Sequence, residues 1–126
     1  MDMSFSYKPL LLKAMLRHVN ENGRVPVEDI VNYFMDYYRD RKEKGLIVEK
    51  KSSVYCKEGY TKKEIERNIF ANPFKRFEDM RFMNRCKEIE YVEFNRHIFK
   101  KLSTQEKEWI VRHCDDKLEE YYAKRL

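Results

Sequence analysis

Residues 61–94 read TKKEIERNIF ANPFKRFEDM RFMNRCKEIE YVEF. Thr61-x-x-Glu64 is a capping-box pattern: the hydroxyl takes the N–H three residues on, and the carboxylate reaches back to the first N–H. A helix is therefore predicted to open there and run through Phe70. Asn72-Pro73 breaks it, because proline brings no N–H and keeps the residue before it out of the helical region. Residues 74–80 read as another short helix with Phe74 and Phe77 on one side. Two runs follow, 81–85 and 89–94, separated by Cys86-Lys87-Glu88. In the second run Ile89, Tyr91 and Glu93 alternate with Glu90, Val92 and Phe94, the period of a strand, and the pair reads as a short β-hairpin.

Working upstream, residues 7–21 carry Leu11, Leu12, Met15, Leu16 and Val19 at helical spacing, with Pro9 in the first turn, where its missing N–H is harmless. Asn22-Gly23 supplies a left-handed stop, and Arg24-Val25-Pro26 is extended. Residues 27–44 place Val27, Ile30, Val31, Phe34 and Tyr38 on one stripe of a second helix. Glu28 and Asp29 stand in its first turn and Arg39, Arg41, Lys42 and Lys44 near its end, the order the helix dipole favours, before Gly45 stops it. Residues 46–60 read as a loop with a short strand at 46–48. Downstream, 95–101 reads as a short helix, and Ser103-x-x-Glu106 opens a last helix to the terminus. Its expected buried stripe is Ile110, Cys114, Leu118 and Tyr121 or Tyr122, with Trp109 as an anchor. The order helix, extended piece, helix, helix, hairpin is that of a winged helix. The expectation is one mainly α domain over 1–126: a winged-helix-like part at 1–94 and a C-terminal helical extension at 95–126.

Composition agrees. Of 126 residues, 42% are hydrophobic, 14% aromatic and 39% charged, with only three glycines and three prolines. That length suits one domain, the aromatics exclude a disordered polyelectrolyte, and the scarcity of Gly and Pro disfavours a turn-dense barrel or sandwich. No apolar run approaches the ~20 residues of a membrane span, and residues 1–7 lack the pattern of a secretory leader. Cys56, Cys86 and Cys114 form no CxxC pair and no even framework, so reduced thiols and a cytoplasmic setting are expected. There is no GxGxxG, P-loop, GxSxG or HExxH.

The net charge of +5 is unevenly spread. Residues 1–39 carry five basic and five acidic side chains, net 0; residues 40–87 carry fourteen and eight, net +6; residues 88–126 carry eight and nine, net −1. The positive excess lies in the segment holding the loop, the third helix and the first hairpin strand. Lys50, Lys51, Lys57, Lys62, Lys63, Arg67, Lys75, Arg76, Arg81, Arg85 and Lys87 are the candidate phosphate contacts. Glu64, Glu66, Glu78 and Asp79 are interspersed and would weaken such a surface, and a solvated face or an acidic protein partner is the other reading.

No constellation demands catalysis, and neither a cofactor, a metal nor a small-molecule substrate is expected. His18, His97 and His113 share no helical spacing, and His113 diverges from Cys114 by ~100° on a helix. Glu64 and Glu66 stand two apart near Lys62 and Lys63, facing different ways. Asp115, Asp116, Glu119 and Glu120 read as salt-bridged surface, with Arg112 one turn before Asp116. Tyr33, Tyr37 and Phe82 belong to aromatic clusters whose ordinary use is core packing and whose alternative use is a protein interface.

Several strings together carry a resemblance: Phe5-Ser6-Tyr7-Lys8-Pro9-Leu10-Leu11-Leu12, Asn22-Gly23-Arg24-Val25, Tyr33-Phe34 with Tyr38, Gly45-Leu46 with Val48-Glu49, Asn72-Pro73-Phe74-Lys75-Arg76-Phe77-Glu78, residues 89–94 and Tyr121-Tyr122-Ala123. Over nearly the whole chain this resembles a small module at the C-terminal end of some bacterial restriction-type and helicase-type proteins. In such proteins the nuclease or ATPase residues lie in other domains. The resemblance implies a non-catalytic accessory role near DNA in a DNA-processing or phage-defence system, with nucleic acid or a nuclease or helicase as partner. The alternative is a small protein-binding module or inhibitor of a nucleic-acid enzyme, such as a phage-encoded anti-defence protein.

Overall fold

The computed structural model describes residues 5–125; the leader reading at residues 1–4 lies outside them. The elements run α1 (Tyr7–His18), β1 (Arg24–Pro26), α2 (Val27–Glu43), a single 3-10 turn (Val54–Cys56), α3 (Lys62–Ala71), α4 (Pro73–Asp79), β2 (Met83–Cys86), β3 (Tyr91–Phe94), α5 (Arg96–Lys101) and α6 (Thr104–Ala123). The chain is mainly helical with a small antiparallel sheet of order β1-β3-β2. The extended piece expected at 24–26 is the third strand, pairing Arg24 with Glu93, Val25 with Val92 and Pro26 with Tyr91. Both predicted capping boxes form, Thr61 with Glu64 and Ser103 with Glu106.

The helices pack around one core. Leu10, Leu11, Ala14 and Met15 of α1 meet Ile30, Phe34 and Tyr38 of α2, Ile65 and Ile69 of α3, and Val25 and Val92 of the sheet. Each of the Leu, Ile, Val, Phe and Met side chains among them contributes ~1.5–3 kcal/mol on burial. The C-terminal extension shares this core: α6 lies along α1, and Leu118, Tyr121 and Tyr122 are buried in it.

Three expectations shift: the end of α1, the strand at 46–48 and the bounds of the hairpin strands. α1 ends at His18 rather than near residue 21, because Asn20 Oδ1 accepts the N–H groups of Asn22 (2.9 Å) and Arg24 (3.1 Å) and turns the chain. Gly23 then takes φ +78°, and a Cβ there would meet the Phe99 ring at 3.0 Å. No strand forms at 46–48. Gly45 at φ +69° lets Leu46 N–H close onto Arg41 O, while Arg41 Nε donates to Ile47 O (2.6 Å) and Tyr122 Oη to Val48 O (2.7 Å). Side chains there take the carbonyls a sheet would use. The hairpin strands are shorter than expected: Phe82 N–H still closes α4 on Phe77 O, and Cys86 pairs with Tyr91 across a turn at 87–90. Glu90 has φ 54°, so Ile89 sits in the turn, exposed.

The irregular stretch between α2 and α3 is held from inside. Glu49 is 6% exposed. Its carboxylate accepts from Ser6 N–H (2.9 Å), Ser6 Oγ, Tyr121 Oη and Lys50 N–H (2.9 Å). Tyr55 stacks on Tyr38 at 4.0 Å and donates to Asn68 Oδ1 of α3 (3.0 Å). Tyr7 Oη and Ser53 Oγ are 2.6 Å apart.

Two outcomes follow. Glu49→Ala leaves buried donors unpaired and is expected to lower stability by about 3 kcal/mol in urea unfolding. Burial is the chief cause raising the phenol pKa of Tyr7 to about 12, and it likewise raises Tyr38, Tyr55, Tyr121 and Tyr122. Unfolded tyrosine ionises near 10. The fold keeps these phenols neutral, so their stabilisation is full below about pH 10 and is lost as pH rises above it. Urea midpoints measured from pH 7 to 12 should fall most steeply above about pH 10, with tyrosinate absorbance appearing together with unfolding.

Candidate nucleic-acid interface

α3 buries Ile65 and Ile69 on its inner side and packs on α2. Lys62, Lys63 and Arg67 are exposed on the remaining surface, with Glu66 between them. Lys62 and Lys63 stand in the first turn, where the helix dipole disfavours cations by ~0.3–1 kcal/mol. Arg41 and Lys42 at the end of α2 are explained by that dipole; Lys62 and Lys63 are not. Lys57 pairs with Glu64 at 2.7 Å. That ammonium and the Thr61 N–H hold the Glu64 carboxyl below its usual range.

Arg85 fastens the hairpin to α3. Its Nη2 lies 3.0 Å from Glu66 of α3 and 3.4 Å from Glu90 in the hairpin turn, and its guanidinium covers the Phe70 ring at 3.7 Å. Lys87 follows two residues along, in the hairpin turn, and is exposed. Nothing in the hydrophobic pattern announced this joint.

The eleven predicted cations therefore divide. Lys57, Lys75 and Arg85 are paired with the interspersed acids Glu64, Glu78, Asp79, Glu66 and Glu90. Lys50 is held over the Phe5 ring at 4.6 Å. Lys51, Lys62, Lys63, Arg67, Arg76, Arg81 and Lys87 are exposed and carry no ion pair among the described residues. Lys62, Lys63 and Arg67 share α3 with Glu66 and Phe70, the partners of Arg85, and Lys87 stands two residues from Arg85 in the turn. Arg76 and Arg81 stand apart on α4 and the turn after it, and Lys51 on the loop before the 3-10 turn.

The aromatic candidates do not form one patch. Tyr33 packs edge-on to His18 (5.6 Å) and Tyr37 to Tyr38 (5.1 Å), both half-buried against the core. Phe82 is 40% exposed. Trp109 does not anchor α6: it is 59% exposed and stacks on His113 at 5.3 Å. The buried stripe runs Val111, Cys114, Leu118, Tyr121 and Tyr122, and Trp109 stands two residues, ~200°, from Val111. Ile110 is half-buried beside that stripe. Arg112 forms no pair with Asp116; Asp115 instead meets Lys13 at 2.6 Å. Among the described residues no three His, Cys, Asp or Glu side chains group to hold a metal ion, and no helix is long and apolar enough to cross a membrane. Burial raises the Cys114 thiol pKa to about 12, while Cys56 is exposed. The nucleophile is the thiolate, so iodoacetamide at pH 8 should label Cys56 in the native protein and Cys114 only on unfolding, read by peptide mass mapping.

Arg85→Met is expected to cost about 1 kcal/mol and to speed amide exchange at residues 87–90 while leaving α1 and α2 protected, measured by hydrogen–deuterium exchange.

No family, no curated protein and no solved structure matches the chain.

Proposed function

We propose that this chain is a non-catalytic, winged-helix-like accessory domain of a DNA-processing or phage-defence system, working in the cytoplasm and holding nucleic-acid phosphates through α3 and the hairpin turn. In this reading Lys62, Lys63, Arg67 and Lys87 form the phosphate-contacting centre, and Arg85 is the positioning residue that keeps the hairpin against α3. Lys51, Arg76 and Arg81 extend the field, and Lys50, Lys57 and Lys75 shape the flanks.

The observation that carries the proposal is a set of exposed cations on α3 and the hairpin turn that no acid pairs among the described residues, within the segment 40–87 that holds the chain's positive excess. Two of them sit at a helix N-terminus, where local electrostatics opposes them. An oligoanion would supply the missing counter-charge at both places. The element order and the sheet order β1-β3-β2 support the winged-helix-like description.

A second reading, a small module that binds or inhibits a nucleic-acid enzyme, is favoured by exposed Phe82 and Trp109, residue types that anchor protein interfaces. The two differ in their salt dependence. For a short duplex DNA titrated by fluorescence anisotropy, the slope of log K against log salt should be about −3 to −4, near one unit for each phosphate contacted. The double variant Lys63→Glu/Arg67→Glu should weaken binding at least tenfold and flatten that slope by about two units, with unchanged circular dichroism. Absence of binding at low salt would remove the phosphate reading and leave the docking one.

A further inference from the structure

A cavity of about 460 Å³ opens between α1, α4, the sheet, α5 and α6. Among the described residues ten of its eleven lining side chains are apolar. The eleventh, Lys8, is already partnered, so the other ten set the character of the wall. An engineered apolar cavity of about 150 Å³ stays dry and admits benzene; this one has about three times that volume and falls within the ~300–1,000 Å³ of ligand sites.

The mouth is built by backbone whose polar groups are already used. Arg81 takes φ 60°. Arg81 N–H donates to Glu78 O (2.9 Å), Phe82 N–H to Phe77 O (2.9 Å), Asn95 N–H to Phe82 O (2.8 Å) and Asn95 Nδ2 to Arg81 O (2.9 Å). Among the described residues the buried polar side-chain atoms left without a partner are Asn32 Oδ1 and Arg85 Nε, and neither residue lines the cavity. A guest with a charge or a strong hydrogen-bonding group would give up its water there and find no replacement. The bonds of the turn also fix Met80, 54% exposed, and Phe82 at the opening, where their apolar surface stays in water until something covers it.

The wall has two kinds of surface. Leu12 and Leu16, one turn apart on α1, and Ile110 of α6 are aliphatic. Phe77, Phe82 and Phe94, with Met80 and Met83, come from α4, the turn after it and the sheet. Aromatic rings and thioether sulfurs make their best contacts with another ring, and the two methionines are flexible enough to close on one. We propose that this cavity binds a neutral aromatic molecule of about two or three rings, a size set by its volume relative to a benzene site. The ring system lies between the aliphatic surface and the phenylalanines and methionines. None of the eleven cations of the phosphate surface lines the cavity, so either proposal can fail alone.

The test is a fluorescence titration of the full chain with N-phenylnaphthylamine, which is neutral, beside anilinonaphthalenesulfonate, which has the same rings and one negative charge. The expected result is saturable one-to-one binding of the neutral dye, at least about tenfold tighter than the sulfonate. Leu16→Trp fills the cavity and should abolish uptake; Ile110→Trp serves if that variant does not fold. The double variant Met80→Leu/Met83→Leu keeps the volume, removes both sulfurs and should weaken the neutral dye about threefold or more. The proposal is overturned by no saturable uptake, by a sulfonate that binds as tightly as the neutral dye, by binding that survives a folded tryptophan variant, or by unchanged affinity in the leucine double variant. A ligand-free dimer in sedimentation that takes up no dye would also overturn it, assigning the cavity mouth to a second copy of the chain.

Discussion

The Glu49 carboxylate is buried without an ion pair among the described residues, and the middle of the molecule is arranged to accept that. An isolated buried charge is costly unless hydrogen bonds replace its water. Here the backbone and hydroxyl of Ser6, the phenol of Tyr121 and the Lys50 N–H replace it. The donors come from before α1, from the end of α6 and from the loop itself, so one side chain ties both ends of the described chain to its least regular stretch. Tyr38, sharing a hydrogen bond with Ser6 at 2.6 Å, and Tyr55, stacked on Tyr38 and bonded to Asn68, carry the tie into α2 and α3. The position of α3, and of the lysines in its first turn, depends on this network.

Much of the architecture was legible because it rests on local rules. Thr61 and Glu64 satisfy each other over three residues, and Ser103 and Glu106 do the same. Pro73 opens α4 because proline fits a first helical turn. Val27, Ile30, Val31, Phe34 and Tyr38 repeat at the helical period and are all buried. The extended Arg24–Pro26 was legible as a conformation, but its pairing with β3 was not, since pairing depends on a hairpin some seventy residues away.

The rest was hidden because long-range partners decide it. Glu49 reads as one acid in a charged run; only the fold brings Ser6 and Tyr121 to it. Leu46 to Val48 read as a strand by composition, yet their carbonyls are taken by Arg41 and Tyr122. Trp109 read as an anchor by residue type, while the helical phase set by Val111, Cys114 and Leu118 turns it outward. At the candidate interface the basic segment was legible as a sum of charge. Which cations are consumed by acids was not, because Arg85 meets Glu66 across nineteen positions of sequence.

In the proposed function the charge excess is therefore narrower than the composition suggests: a few cations on α3 and the hairpin turn, joined by one arginine. The most direct measurement is an amide chemical-shift titration of the full chain with a short duplex DNA at low salt. The account predicts saturable shifts centred on residues 62–67 and 85–90 that fade as salt is raised. Shifts confined to α6 around Trp109, or none at low salt, would contradict it.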